Sequence, residues 1–188
     1  MALTHTPVAA IGSPCPDFAL KGVDDRTYSL ADFSGSRAFL AMFICNHCPY
    51  VIAVEDRLLA LARTFEGQPV KIAAICSNDG ERYPADSFEN MKKRSREKNY
   101  PFPYLHDETQ KAALAFGAVC TPDFFVYDSD LKLAYRGRLD DSWKDPSAVR
   151  AQELKAAIEL LVRGERPSLK QSASMGCSIK WKPGNLQP

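Results

Sequence analysis

Ala38 to Ile44 reads AFLAMFI, an apolar run with no polar interruption, and it leads directly into Cys45-Asn46-His47-Cys48-Pro49-Tyr50. A strand with one wet face alternates apolar and polar residues, whereas a continuous run marks a strand covered on both faces. After the cysteines the period changes. Val54, Leu58, Leu61, Ala62 and Phe65 share one face of a helical repeat, and Gly67 ends it. A doubly covered strand that passes through a tight cysteine turn into an amphipathic helix needs helical layers around a sheet. The expected fold class is α/β.

The rest of the chain agrees. Pro16 to Leu20 and Thr27 to Phe33 read as short strands and turns, with Asp24-Asp25 at a hairpin. Val70 to Cys76 is a second buried strand, closed by Ser77-Asn78-Asp79-Gly80. Pro84 to Lys98 reads as a charged helix with Phe88 and Met91 inward. Asp107 and Gln110 have capping-box spacing before a helix through Phe116 to Gly117. Phe124 to Tyr127 and Leu131 to Gly137 make an antiparallel hairpin, and Asp145-Pro146 opens a last helix ending at Gly164. The assembly is a central mixed β-sheet flanked by helices, with an N-terminal β extension. It forms one domain over 1–164, and an irregular tail over 165–188 packs on or near it. The cysteine turn then falls at the carboxyl end of a central strand, where open α/β sheets place their chemistry.

Charge and cysteine usage narrow the chemistry. A net charge of +1 over 188 residues gives no pull toward nucleic acid or an acidic membrane. The KKRSREK stretch, Lys92 to Lys98, lacks interleaved aromatics and reads as a solvated helix face. No apolar run approaches a membrane span. Met1 to Ile11 has no Lys or Arg and no apolar core before a cleavage site, so the cytoplasm is the expected compartment. In a reducing compartment a close cysteine pair points to catalysis or metal binding rather than to a disulfide framework.

Cys45 and Cys48 are that pair. A two-residue gap at a helix start lets two sulfurs reach bonding distance. The unpaired N–H groups of the first turn stabilise a thiolate, which is the reactive form, and a protonated His47 adds to that effect. Either cysteine alone would more often be a small buried hydrophobe. A zinc site wants a second ligand pair, and His5 and His106 are isolated. No metal and no cofactor are therefore expected. The second signal is Val119-Cys120-Thr121-Pro122-Asp123 ahead of a buried strand. Thr121-Pro122 could be an ordinary trans turn opening an edge strand. Beside a C-x-x-C, a cis bond is the favoured reading.

GSPCPDFAL at the front, the C-x-x-C, and DETQKAALAFGAVCTPDFFVYD further on resemble the thioredoxin superfamily. The likeness is to its redoxin, AhpC/TSA-like branch, and among these to bacterial peroxiredoxin-like proteins with CNHCPY and a GCSIKWK-like tail, here Gly176 to Lys182. It spans about Ile11 to Gly184. The resemblance implies a thioredoxin-like fold and thiol–disulfide oxidoreductase activity, with Cys45 attacking, Cys48 resolving and Thr121 and Pro122 holding the substrate backbone. The implied partners are a protein or small-molecule disulfide and a thiol electron donor.

Two departures qualify it. Phe39 stands where thioredoxins carry a buried acid, leaving the proton-handling base unassigned. Aligning Cys48 with a peroxidatic cysteine puts Cys45 in place of a threonine, and no arginine lies between Arg96 and Arg136. A thiol peroxidase is the alternative enzyme. Copper(I) binding by Cys45, His47 and Cys48 is the alternative of another class, although Ser129 stands near the place of its further histidine.

Pro49 complicates the roles. At the first helical position it would make Cys48 the N-cap residue, while expected exposure assigns the attack to Cys45. Cys120 is placed near the pair, Cys76 in the core, and Cys15 has no assignable role. Cys177 is read as a surface cysteine, or as an extra resolving thiol in a tail that docks.

Overall fold

The computed structural model describes residues 3–8 and 10–185. Residues 1, 2 and 9 of the N-terminal stretch read above lie outside them, as do 186–188 of the tail. In chain order the elements are β1 (Leu3–His5), β2 (Ala19–Gly22), β3 (Thr27–Ser29), α1 (Leu30–Phe33), β4 (Ala38–Phe43), α2 (Pro49–Thr64), β5 (Val70–Cys76) and α3 (Phe88–Lys98). There follow β6 (Tyr104–His106), α4 (Lys111–Phe116), β7 (Cys120–Thr121), β8 (Asp123–Tyr127), β9 (Leu133–Gly137), α5 (Glu153–Val162) and β10 (Met175–Ser178).

Among the described residues the larger sheet has the order β3-β2-β6-β5-β4-β8-β9. Its centre is parallel (β4 with β5, β5 with β6), and β8 and β9 add an antiparallel hairpin. β4 is buried at every residue, as its unbroken apolar run predicted. Its side chains divide by parity. Leu40, Met42 and the following Ile44 pack with α2, while Phe39, Ala41 and Phe43 face an aromatic layer with Phe18, Phe33 and Phe116. α2 buries Val51, Val54, Leu58, Leu59, Leu61 and Ala62, each large side chain contributing roughly 1.5–3 kcal/mol.

Local readings differ from the structure where a polar side chain serves tertiary contacts. Asp107 is not half of a capping box. Its carboxylate accepts the N–H groups of Ala112 and Ala113 and the Ser77 hydroxyl, while Gln110 takes the position before α4 with φ 62°. The run from Pro84 splits into a 3-10 turn, Pro84–Asp86, and α3, which is capped by Ser87. Asp145-Pro146 opens only a 3-10 turn, and α5 begins at Glu153.

The tail docks, and part of it is regular. β10 pairs with β1 on one side and β7 on the other, forming a second, three-stranded sheet. This sheet joins the two ends of the chain over the carboxyl end of β4 and packs against α2. No helix among the described residues is long and apolar enough to cross a membrane.

Candidate thiol site

β4 delivers Cys45 just past its last residue, and the chain turns through Asn46 and His47 into α2. Pro49 occupies the first helical position, where a missing N–H costs nothing, and Cys48 is the N-cap residue. Thr121 meets both sulfurs. Its hydroxyl lies 3.4 Å from Cys45 Sγ, and its carbonyl accepts the Cys48 thiol at 3.1 Å. The Thr121–Pro122 bond is cis. The structure thus brings together Cys45, Cys48, Thr121 and Pro122. Exposure does not separate the cysteines: Cys45 is 2% and Cys48 0% exposed.

The electrostatics do separate them. Cys48 is held well below the ordinary thiol range, first by a hydrogen bond from the Cys45 thiol. The Thr121 hydroxyl and the backbone N–H groups of Val51 and Cys177 add to this, against the cost of burial. Cys45 is pushed well above that range by its bond to Cys48, by burial and by the nearby Asp86 carboxylate. The two titrate as one coupled system in which the helix terminus favours the thiolate on Cys48; when protonated, Cys48 donates to the Thr121 carbonyl.

His47 is held by Asp86 beside the Cys45 sulfur. Its Nδ1 lies 2.6 Å from Asp86 Oδ2, and its ring stacks on Tyr83 at 5.7 Å. Asp86 is fully buried and also accepts the Asn46 N–H at 2.8 Å and the Asn78 amide at 2.7 Å. Ligand-type atoms of Cys45, His47 and Asp86 lie within 4.8 Å of one another. The carboxylate's oxygens are already engaged by three donors, so this is a satisfied polar network rather than an open cation cage. The sequence alone does not single out Asp86, because Pro84 to Lys98 reads there as one charged helix rather than a 3-10 turn followed by α3. Ser87 followed by Asn90, an N-cap spacing, was the available signal.

Cys177 on β10 enters the same buried cluster as Cys45 and Cys48 and lies opposite Thr121 in the β7 register. The Thr121 backbone edge expected to hold substrate is therefore paired with the chain's own tail. Open space remains against Pro122, a cleft of about 180 Å³ lined by Tyr50, Val54, Phe124, Trp143 and Ser174 among others. Cys76 and Cys120 are buried, and burial raises both thiols. Cys15 packs in the aromatic layer. Arg136, on β9, is committed to Asp123 at 2.8 Å and to the Gly117 carbonyl at 2.7 Å, with its guanidinium over Phe125.

A cis-proline loop against a helix-terminal cysteine pair, on a mixed sheet with flanking helices, defines a thioredoxin-fold thiol protein. The AhpC/TSA family model matches residues 11–136, and the chain belongs to that family. It is 27% identical over 132 residues to the thiol-disulfide oxidoreductase ResA of Geobacillus thermodenitrificans, covering 69% of this chain and 70% of that one. A crystal structure of an uncharacterized conserved protein from Geobacillus kaustophilus has a TM-score of 0.93 at 45% identity, with 98% of this chain and 99% of that one covered. The thioredoxin domain of a thiol-disulfide oxidoreductase from Bacteroides vulgatus shares the fold, with a TM-score of 0.63 at 19% identity over 82% of this chain and 99% of that one.

Proposed function

We propose that the chain is a thiol–disulfide oxidoreductase in which Cys48 supplies the attacking thiolate and Cys45 resolves the mixed disulfide. One observation carries the reading: Cys48 is the N-cap residue of α2, where the helix terminus favours a thiolate. The similarity to ResA supports the reaction class. The resemblance and the expected exposure both assign the attack to Cys45. With both sulfurs buried, exposure no longer distinguishes them, and the proposed reading follows the helix terminus, which favours Cys48.

Cys48 attacks one sulfur of a disulfide, the far sulfur leaves as a thiolate, and a mixed disulfide forms on Cys48. Cys45 then attacks the Cys48 sulfur, closing the Cys45–Cys48 bond and releasing the second substrate thiolate. Two electrons pass to the substrate. Cys45 must shed its proton as it attacks, and the His47–Asp86 pair lies close enough to take it. This pair fills the role that Phe39 cannot. A thiol donor, in the reducing compartment this reading assumes, restores the dithiol.

A thiol peroxidase is the second reading, favoured by family membership and by the burial of Cys48, which suits a small oxidant. Against it, Arg136 is tied to Asp123. Steady-state assays on one preparation separate the two: reduction of insulin and hydroxyethyl disulfide with a thiol donor, and consumption of hydrogen peroxide. The expected result is disulfide reduction well ahead of peroxide turnover. Rapid peroxide consumption with no disulfide reduction reverses the assignment.

A further inference from the structure

Cys48 has a second thiol neighbour. β10 runs antiparallel to β7 with Cys177 opposite Thr121, the residue that touches both sulfurs of the pair. Cys177 shares one buried cluster with Cys45 and Cys48, its strand packs on α2, and Cys48 raises its titration. A glycine makes this approach possible: a Cβ on Gly176 would stand 2.0 Å from the Thr121 carbonyl oxygen. The strand is pinned at both ends. Ser174 donates its hydroxyl to the Pro122 carbonyl at 2.9 Å, and the Gln110 side chain holds the Lys180 carbonyl at 2.9 Å and the Lys182 N–H at 2.7 Å.

We propose that Cys177 is a third redox thiol of the site, resolving mixed disulfides on Cys48 in competition with Cys45. The proposal rests on the reading of Cys48 as the attacking sulfur. The Cys177 sulfur attacks Cys48 in the mixed disulfide, the Cys48–Cys177 bond forms, and the bond to substrate breaks. The departing substrate thiolate takes the proton Cys177 gives up. The substrate disulfide is reduced by two electrons, and Cys48 and Cys177 are oxidised. In the reduced protein burial and the neighbouring Cys48 push the Cys177 thiol up to about 11; once Cys48 carries substrate, burial alone holds the proton until the leaving group accepts it.

The test oxidises the reduced, full-length protein with hydroxyethyl disulfide, quenches with acid, alkylates free thiols and maps linked peptides by mass spectrometry. The wild type should yield Cys45–Cys48 together with Cys48–Cys177. Cys45→Ser should yield Cys48–Cys177, and Cys177→Ser only Cys45–Cys48. Gly176→Ala, which pushes the strand off without touching a thiol, should lower the Cys48–Cys177 yield about tenfold while keeping Cys45–Cys48. In turnover, removing Cys177 from the Cys45→Ser background should cut the residual disulfide reductase rate at least about tenfold.

If Cys45→Ser stops at a reagent adduct on Cys48, or links to Cys120, while Cys177→Ser still closes Cys45–Cys48, the third thiol is refuted and the pair stands. Absence of any Cys48 linkage or adduct across the set overturns both.

Discussion

The two faces of the central sheet are built on the same strands and do different work. On one, Phe39 stacks on Phe33 at 4.6 Å and lies within 6.4 Å of Phe18 and 6.0 Å of Tyr127. The buried acid of this face, Asp123, is matched to the permanent cation of Arg136. On the other face the residues beyond β4 are sulfur and hydroxyl, and the buried acid near them, Asp86, is matched to a histidine and two amides. An acid locked to arginine fixes geometry. An acid bound to a histidine, which can take up and release a proton, leaves a route for one. On the proposed reading, the difference in partner separates the face that carries the thiols from the face that only packs.

Breaking each face in turn tests this division. Cys48→Ser should lower disulfide reduction by about 10³-fold or more, or roughly 4 kcal/mol of transition-state stabilisation, with thermal stability little changed. Phe39→Ala should do the reverse, costing about 3–5 kcal/mol in chemical denaturation while the folded fraction keeps its specific activity. Arg136→Met belongs with it: leaving Asp123 buried and without its cation should destabilise by about 3–5 kcal/mol. A loss of specific activity in either variant, measured under conditions where it is folded, would mean the aromatic face reaches the thiols.

Asp86→Asn should be intermediate, slowing the resolving step by about a hundredfold and altering the pH profile of turnover. A merely structural role would lower stability and leave that profile in place.

The smallest effect concerns protons alone. Cys48 titrates below the ordinary thiol range in the folded, reduced protein. Its thiolate absorbance near 240 nm should persist at neutral pH and vanish in Cys48→Ser. The folded value is depressed relative to the unfolded chain. The reduced form therefore gains stability as pH rises toward the unfolded thiol value of about 8.5, and loses it as pH falls through the folded one. Cys45→Ala removes the largest stabilising bond and should raise the Cys48 titration by about one unit, or roughly 1.4 kcal/mol, and Cys45→Ser should retain part of the shift.

The architecture was legible because it follows from periodicity. The unbroken run Ala38 to Ile44, the helical spacing from Val54 to Phe65 and the turn at Asp128 each state a local preference that tertiary packing upholds. That Cys45, Cys48 and the Thr121-Pro122 loop meet was legible from a C-x-x-C between strand and helix and a Thr-Pro ahead of a buried strand. Asp86 and Cys177 were not. Each acts through a contact more than 35 residues away in the chain, Asp86 with His47 and Cys177 with Thr121. Periodicity carries no record of such pairings. The same reason explains Asp107 and Gln110, whose side chains were read as a local cap and instead tie α4 to β5 and to the tail.

The three-stranded sheet also sets a timetable. A ribosome makes Cys45 and Cys48 early and β10 after every strand of the larger sheet, so the growing chain can assemble β2 through β9 before Cys177 exists. During that interval Cys48 has Cys45, Thr121 and the first turn of α2 beside it but lacks the strand that carries Cys177. Translation therefore finishes the thiol site last, and a chain released short of Gly176 carries the cysteine pair without the strand that covers it.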